Sequence, residues 1–123
     1  MARRDLTGTV DFAYLENYAA GDQQVVDEVL AIFREQTSMW LALLDPAAEG
    51  DAWRDAAHTM KGAAMGVGAF ALAEACATAE AGRETDPAER GRLLETVRDK
   101  LDLALADIAA YAHEQALKSL KIP

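Results

Sequence analysis

Residues 51–69 read DAWRDAAHTMKGAAMGVGA, and this stretch has the pattern of one amphipathic helix. At about 100° per residue, its apolar and small side chains fall on one half of the helix surface: Trp53, Ala56, Met60, Ala63, Ala64 and Val67. His58 lies on the other half, together with Arg54, Lys61, Gly62 and Met65. We therefore predict a helix over about residues 51–65, ended by the glycines of Gly66-Val67-Gly68, that points His58 away from the core.

Residues that cap or end helices divide the rest of the chain. Asp11 and Asp22 are placed to cap a short first helix and a longer second one, which stops at Pro46. Another helix follows Gly68, and the last begins at Asp86 and runs for about 25 to 30 residues by its apolar stripe. No segment alternates as a strand does. These patterns predict an all-α fold, an antiparallel four-helix bundle with a short N-terminal helix covering one end.

Length and composition favour one compact domain spanning residues 1–123, of which 51% are hydrophobic. The net charge of −9 argues against nucleic acid and against an anionic membrane surface, because both select clustered positive charge. We expect no signal peptide, because no apolar stretch follows the basic residues at the start, and no apolar run is long enough to span a bilayer. Its single cysteine, Cys76, excludes an internal disulfide. We therefore expect a cytoplasmic protein, in which Cys76 is a small buried hydrophobe.

The polar half of residues 51–69 combines groups suited to one chemistry. A neutral, exposed imidazole at His58 is a competent nucleophile near neutral pH. Lys61 and Arg54, one turn to either side, can neutralise an anion attached to that ring. Gly62 costs about 1 kcal/mol relative to alanine in a helix interior, and space for another molecule beside the imidazole would offset that cost. This combination suggests transfer of a phosphoryl group to or from His58.

The same residues resemble the signature of the histidine-containing phosphotransfer (HPt) family, which is H-x-x-K-G followed by glycine-alanine, leucine, cysteine and an acid or amide at fixed spacings. The matching residues here are His58, Lys61, Gly62, Gly68-Ala69, Leu72, Cys76 and Glu80. Gly21-Asp22 and residues 30–33 are also similar to the family, so the resemblance covers most of the chain. The sequence departs from the family pattern at Ala63-Ala64, where small hydroxyl residues are frequent, and at Gly66, where asparagine is frequent.

The resemblance implies a role for each matching residue of the site. His58 would carry the phosphoryl group, Lys61 would neutralise it, and Gly62 would leave room for the partner's active site. Glu80 would hold the other ring nitrogen of His58. Arg54 is not among the matching residues, but its place one turn before His58 suggests a supporting cation. Residues such as Met65 and Phe33 more often pack than dock; of these two candidates for docking the partner, Met65, on the face of His58, is the better one.

The expected function is that of a phosphorelay intermediate. It would take a phosphoryl group from the aspartyl phosphate of a receiver domain, on a hybrid or sensor histidine kinase, and pass it to an aspartate of a response regulator. The sequence has no P-loop and no glycine-rich kinase loop, so we expect no ATP-dependent kinase activity. We expect a monomer without a cofactor of its own, with Mg²⁺ supplied by the partner receiver. No metal site is predicted, because HExxH is absent and His113 lies on a polar helix face.

Two alternatives stay open on the sequence. The first is a helical adaptor that binds receiver or kinase domains without being phosphorylated. The second is the phospho-accepting segment of a chemotaxis-type kinase, which resembles the same family. Because a receiver's active site is acidic, the carrier hypothesis also predicts a neutral or electropositive patch around His58, built by Arg54, Lys61 and Arg83 on an otherwise acidic body.

Overall fold

The computed structural model describes residues 10–120, which form five helices. Their bounds are α1 Phe12–Tyr18, α2 Gln23–Leu43, α3 Gly50–Val67, α4 Phe70–Ala81 and α5 Pro87–Leu120. The described part of the chain contains no strand. Short connections make α2, α3, α4 and α5 antiparallel neighbours in a four-helix bundle, which confirms the predicted all-α architecture. None of the helices between residues 10 and 120 is long and apolar enough to cross a membrane.

The predicted caps determine where three of the helices begin. The Asp11 carboxylate accepts a hydrogen bond from the backbone N–H of Tyr14 at 3.1 Å, which satisfies one free donor at the start of α1. Asp22 accepts from two backbone N–H groups at the start of α2. Asp86 accepts from the N–H of Glu89 at 2.8 Å, with Pro87 as the first residue of α5.

Helix α1 covers the end of the bundle at which α3 ends and α4 begins. The N–H of Asp11 donates to the carbonyl of Gly68 at 2.9 Å. Phe12 stacks on Tyr111 of α5, with ring centroids 4.2 Å apart and the planes nearly parallel. Val10, fully buried, donates its N–H to the Asp107 carboxylate at 3.1 Å. The short N-terminal helix therefore has the covering position that the sequence predicts.

Helix α3 is longer than predicted. It continues through Gly66 and ends at Val67, two residues beyond the expected limit. A helical glycine costs only about 1 kcal/mol, and burying the Val67 side chain offsets that cost. Only Gly68 ends the helix, with a φ of +84° that disfavours other residues. A Cβ atom at Gly68 would also lie 2.7 Å from the carbonyl oxygen of Asp11, so this glycine is required for α1 to pack there.

Helix α5 has 34 residues, so the predicted length of about 25 to 30 was too short. The buried stripe does end where expected, at Tyr111. Beyond it, residues 112–120 continue as exposed helix. This segment, AHEQALKSL, is rich in strong helix formers, and its helicity depends on intrinsic propensity more than on burial.

At the opposite end of the bundle, Arg90 ties two loops together. Its guanidinium is buried and donates to the carbonyls of Ala48, at 2.7 Å, and of Pro46, before α3. It also donates to the carbonyl of Arg83, just after α4. The same group lies 5.6 Å from the centre of the Trp53 ring. Arg90 thereby holds the start of α3 beside the end of α4.

Trp53 makes the second connection between these two helices. Its side chain is fully buried, and its indole N–H donates to the carbonyl of Ala79 at 2.6 Å. Because Ala79 precedes Glu80, this bond fixes the part of α4 that carries Glu80 against α3. The burial of Trp53 agrees with its predicted place in the core, whereas this bond and the position of Arg90 were not predicted from the sequence.

Candidate functional site

His58 lies on the solvent face of α3, as its position on the helical wheel predicts. Its side chain is 65% exposed, which is high for an imidazole that makes a defined contact. The apolar half of the same helix is buried, including Trp53, Ala56 and Met60. A ring held on the outside of a rigid helix is open to the active site of another molecule.

One carboxylate connects His58 to Lys61. Glu80, in the last turn of α4, approaches the Nδ1 atom of His58 to 3.0 Å through one oxygen. Its other oxygen lies 3.0 Å from the Nζ atom of Lys61. The Glu80 and Lys61 side chains are mostly covered, being 23% and 28% exposed. The arrangement places Glu80 as the family resemblance implies, and adds a contact with Lys61 that the sequence analysis did not predict.

The charge state of Glu80 determines which ring nitrogen of His58 is reactive. The hydrogen bond from Lys61 is the largest cause that lowers the pKa of Glu80, and the bond from His58 acts in the same direction. Glu80 is therefore ionised at neutral pH, and a carboxylate can only accept hydrogen bonds. It follows that in the neutral ring of His58 the proton lies on Nδ1 and the lone pair on the exposed Nε2 atom.

The lowered pKa makes a testable contribution to stability. A carboxyl group whose pKa is lower in the folded state stabilises the fold above its ordinary value of 4.5, and this contribution is lost as the pH falls through the lowered pKa. We expect the free energy of unfolding of the wild type to fall in acid more steeply than that of Glu80→Gln. Urea unfolding at several pH values measures both curves. Parallel curves would mean that the bridge contributes no pH-dependent stability.

Gly62 is open to solvent, and apart from the adjacent backbone of α3 no described atom would lie within 4 Å of a Cβ atom placed there. Internal packing therefore does not require a glycine at this helical position, which agrees with a role in admitting a partner. Gly66, one turn further along α3, is equally open. Together the two glycines leave a low strip of helix surface beside His58.

The cations around His58 are balanced by carboxylates. The guanidinium of Arg54, which was expected to support the ring, pairs with the carboxylate of its neighbour Asp55 at 2.8 Å. Arg83 contacts Asp51 at 3.1 Å and Glu84 at 3.0 Å. With Lys61 held by Glu80, the ion pairs favour the neutral form of the predicted patch over the electropositive one.

The two docking candidates have different positions. Met65 is half exposed on the face of His58, where a partner could contact it. Phe33 is only 2% exposed and packs edge-on against Trp40, so its prediction as a docking residue was wrong. Phe33 belongs to the buried stripe of α2, and the exposed apolar residue beside it is Ile32.

The remaining candidate groups lie apart from this site. Cys76 is buried, and this burial raises its pKa to about 12, so it remains a protonated thiol at neutral pH. His113 is exposed on the part of α5 that follows the buried stripe. Within residues 10–120, no three His, Cys, Asp or Glu side chains are grouped so that they could hold a metal ion.

Comparisons with known proteins agree with the class of protein that this fold and site define. The family model described as the Hpt domain matches residues 24–111, so the chain belongs to the Hpt domain family. The chain is similar to a solved structure, the histidine phosphotransferase ShpA from Caulobacter crescentus, with 62% sequence identity and a TM-score of 0.74. That match covers 91% of this chain and 98% of the other. No curated protein matches. The chain is accordingly a phosphorelay intermediate of two-component signalling.

Proposed function

We propose that His58 is the residue that carries the phosphoryl group, and that it reacts through Nε2. The observation that supports this assignment is the Glu80 bridge, because in the neutral ring it selects the tautomer with the proton on Nδ1 and the lone pair on the exposed Nε2. A donor of the acyl phosphate class, such as the phosphorylated aspartate of a receiver domain, can then approach the ring from solvent in line with its leaving group.

The transfer step balances without a proton acceptor. The lone pair of Nε2 attacks phosphorus and forms the N–P bond, while the P–O bond to the aspartate breaks and its electron pair leaves with the carboxylate. The proton on Nδ1 stays in place, so the ring of His58 becomes positively charged. Glu80, at 3.0 Å, balances that charge. In the onward step, an aspartate carboxylate of a response regulator attacks the same phosphorus and the neutral imidazole leaves.

Lys61 neutralises the transferred group in this proposal. Its ammonium has three N–H donors, and only the contact with Glu80 at 3.0 Å occupies it among the ion pairs of the site. It can retain that bond and direct a second N–H toward a phosphoryl group on Nε2, one helical turn away. Glu80 therefore positions both groups, His58 for attack and Lys61 for charge compensation.

The partner supplies what this chain does not carry. We propose that Mg²⁺ is held by the acidic pocket of a receiver domain and enters the site with it. The donor receiver would belong to a hybrid or sensor histidine kinase, and the acceptor to a response regulator, with this protein acting as a cytoplasmic monomer. Gly62 provides the clearance for the edge of that pocket.

Mapping the phosphate tests this proposal. The protein is incubated with an active histidine kinase and receiver, and the label is located by its chemical stability and by mass spectrometry of peptides. We expect an acid-labile, base-stable phosphate on the peptide that contains His58. A wild-type protein that binds receivers but takes no phosphate would be the adaptor, and label on a carboxylate or on His113 would exclude His58 as the carrier.

A further inference from the structure

Glu80 is the residue of the site whose position depends on how two helices pack. His58 and Lys61 lie about one turn apart on α3, so their spacing follows from the helix itself. Glu80 comes from α4, and its two carboxylate oxygens lie 3.0 Å from Nδ1 of His58 and 3.0 Å from Nζ of Lys61. Both contacts are therefore kept only while the end of α4 keeps its place beside α3.

The end of α4 needs a contact that fixes it along α3. Glu80 lies in the last turn of α4, which ends at Ala81, and the carbonyl groups of a last turn lack partners within the helix. Both helices bury several alanines, which are Ala56, Ala57 and Ala64 of α3 and Ala73, Ala75 and Ala79 of α4. Where such small side chains meet, the ridges are low, so packing alone defines the sliding position of two helices weakly. A directional bond adds what these side chains do not supply.

Trp53 supplies a directional bond one residue before Glu80. Its indole N–H donates to the carbonyl of Ala79 at 2.6 Å, and the same carbonyl accepts the N–H of Gly82 at 3.0 Å. The Trp53 side chain is fully buried, so an indole N–H that lost this acceptor would be a buried donor without a partner. Any sliding of α4 past α3 would leave the donor in that state, and the bond therefore opposes the movement.

Arg90 contacts Trp53 and the backbones on both sides of it. Its guanidinium lies 5.6 Å from the centre of the Trp53 ring and donates to the loop before α3 and to the carbonyl of Arg83 after α4. A Cβ atom at Gly50 would lie 3.0 Å from the Arg83 carbonyl oxygen, so the start of α3 passes close to the chain that leaves α4. The indole–carbonyl bond thus forms between two backbones that are already held together.

We propose that Trp53 is a positioning residue for phosphoryl transfer, because its bond to the Ala79 carbonyl holds Glu80 where it bridges His58 and Lys61. This inference rests on the proposed function of His58. Trp53 is buried and acts through Glu80, which selects the tautomer with the proton on Nδ1 and the lone pair on Nε2. Without the bond, Glu80 would contact His58 in only a fraction of the molecules. The other tautomer, whose protonated Nε2 cannot attack phosphorus, would then become populated.

Trp53→Phe removes the indole N–H and keeps an aromatic ring in the core. In ¹⁵N NMR spectra of the neutral His58 ring, we expect the wild type to carry the proton on Nδ1 and the variant to shift toward Nε2. A displacement of about 1 Å between reacting groups can cost about 100-fold in rate, and losing one bond should displace Glu80 by less, so we expect a loss of about 10-fold. Labelling by phosphoramidate, a small phosphoryl donor, and transfer from a receiver should both show it. A wild-type tautomer in this variant would overturn the proposal.

A double-mutant cycle distinguishes positioning from a merely structural role. If Trp53 acts through Glu80, Trp53→Phe should slow phosphoramidate labelling in the wild type and leave it unchanged in the Glu80→Ala background. An equal loss in both backgrounds would overturn the proposal, because Trp53 would then act by another route. Wild-type label outside His58 would instead refute the proposed function itself.

Two further variants separate loss of the bond from loss of stability. Ile108→Val removes one methyl group from a fully buried residue of α5, so it should lower the free energy of unfolding without changing the tautomer or the labelling rate. Replacing Trp53 by β-benzothienylalanine keeps the shape of the side chain and removes only its N–H. This replacement should reproduce the effects of Trp53→Phe, even where Trp53→Phe folds poorly. A wild-type tautomer and rate after it would overturn the role of the indole N–H.

Discussion

His58→Gln should abolish phosphate transfer while leaving the fold intact. A glutamine amide nitrogen is not nucleophilic, because its lone pair is delocalised into the carbonyl group. Its side chain can still form a hydrogen bond with Glu80, so the Glu80–Lys61 pair is retained. The position is 65% exposed, and an exposed substitution changes the free energy of unfolding by no more than about 0.5 kcal/mol. We expect transfer from a phosphorylated receiver to fall by at least about 1,000-fold.

The second histidine provides the control for this experiment. His113 is exposed on α5, two residues after the end of the buried stripe at Tyr111. His113→Gln should accept and release phosphate at the wild-type rate. Receiver binding by His58→Gln should persist, since the imidazole is only one part of the contact surface. Acid-labile label that remains on His58→Gln would show that another group carries the phosphate.

The sequence predicted the features of the site that follow from helical periodicity. Exposure of His58, burial of Trp53 and the alignment of Lys61 with His58 are all consequences of about 100° per residue within one helix. The Asp11, Asp22 and Asp86 caps follow from the local need to satisfy free N–H groups. Each of these depends on neighbours close in the chain, which a single sequence reveals.

Contacts between segments that are distant in the chain were harder to predict from the sequence. Phe33 was assigned to docking although it shares a stripe with Val26 and Leu30, and the choice between it and Ile32 depends on where α3 packs. Arg90 donates hydrogen bonds to two loops, and its bond to Ala48 joins residues 42 positions apart. No local sequence pattern predicts these bonds. The full length of α5 was not predicted because the expected length was taken from the buried stripe, which ends at Tyr111, before the helix ends.

Electrostatic attraction contributes little to docking at the face of His58. The chain as a whole is acidic, with a net charge of −9, and its partner's active site is acidic as well. The cations nearest His58 do not create a positive surface, because Glu80 and Asp55 balance Lys61 and Arg54. The ion pairs near His58 thus reduce the electrostatic repulsion between the two proteins without adding attraction. We therefore expect the fit of the two surfaces at Gly62 to govern the rate of transfer.

Gly62→Gln should lower the rate of phosphate transfer from the receiver while raising the free energy of unfolding. Glutamine is a better helix former than glycine, and the position is open, so the free energy of unfolding should rise by roughly 0.5 kcal/mol. The new side chain would occupy the space one turn from His58 that the receiver must enter. A displacement of about 1 Å between reacting groups can cost about 100-fold in rate. We expect a loss of that size or more in receiver-dependent transfer.

Gly91→Gln is the matched control, because Gly91 is also helical and also has nothing within 4 Å of a Cβ atom, but lies on α5. Its free energy of unfolding should rise by a similar amount, and it should transfer phosphate at the wild-type rate. Labelling of Gly62→Gln by phosphoramidate should be reduced far less than labelling by the receiver, since the small donor needs little room. If Gly62→Gln accepts phosphate from the receiver at the wild-type rate, the clearance role is wrong. The glycine would then reflect neither packing nor partner access.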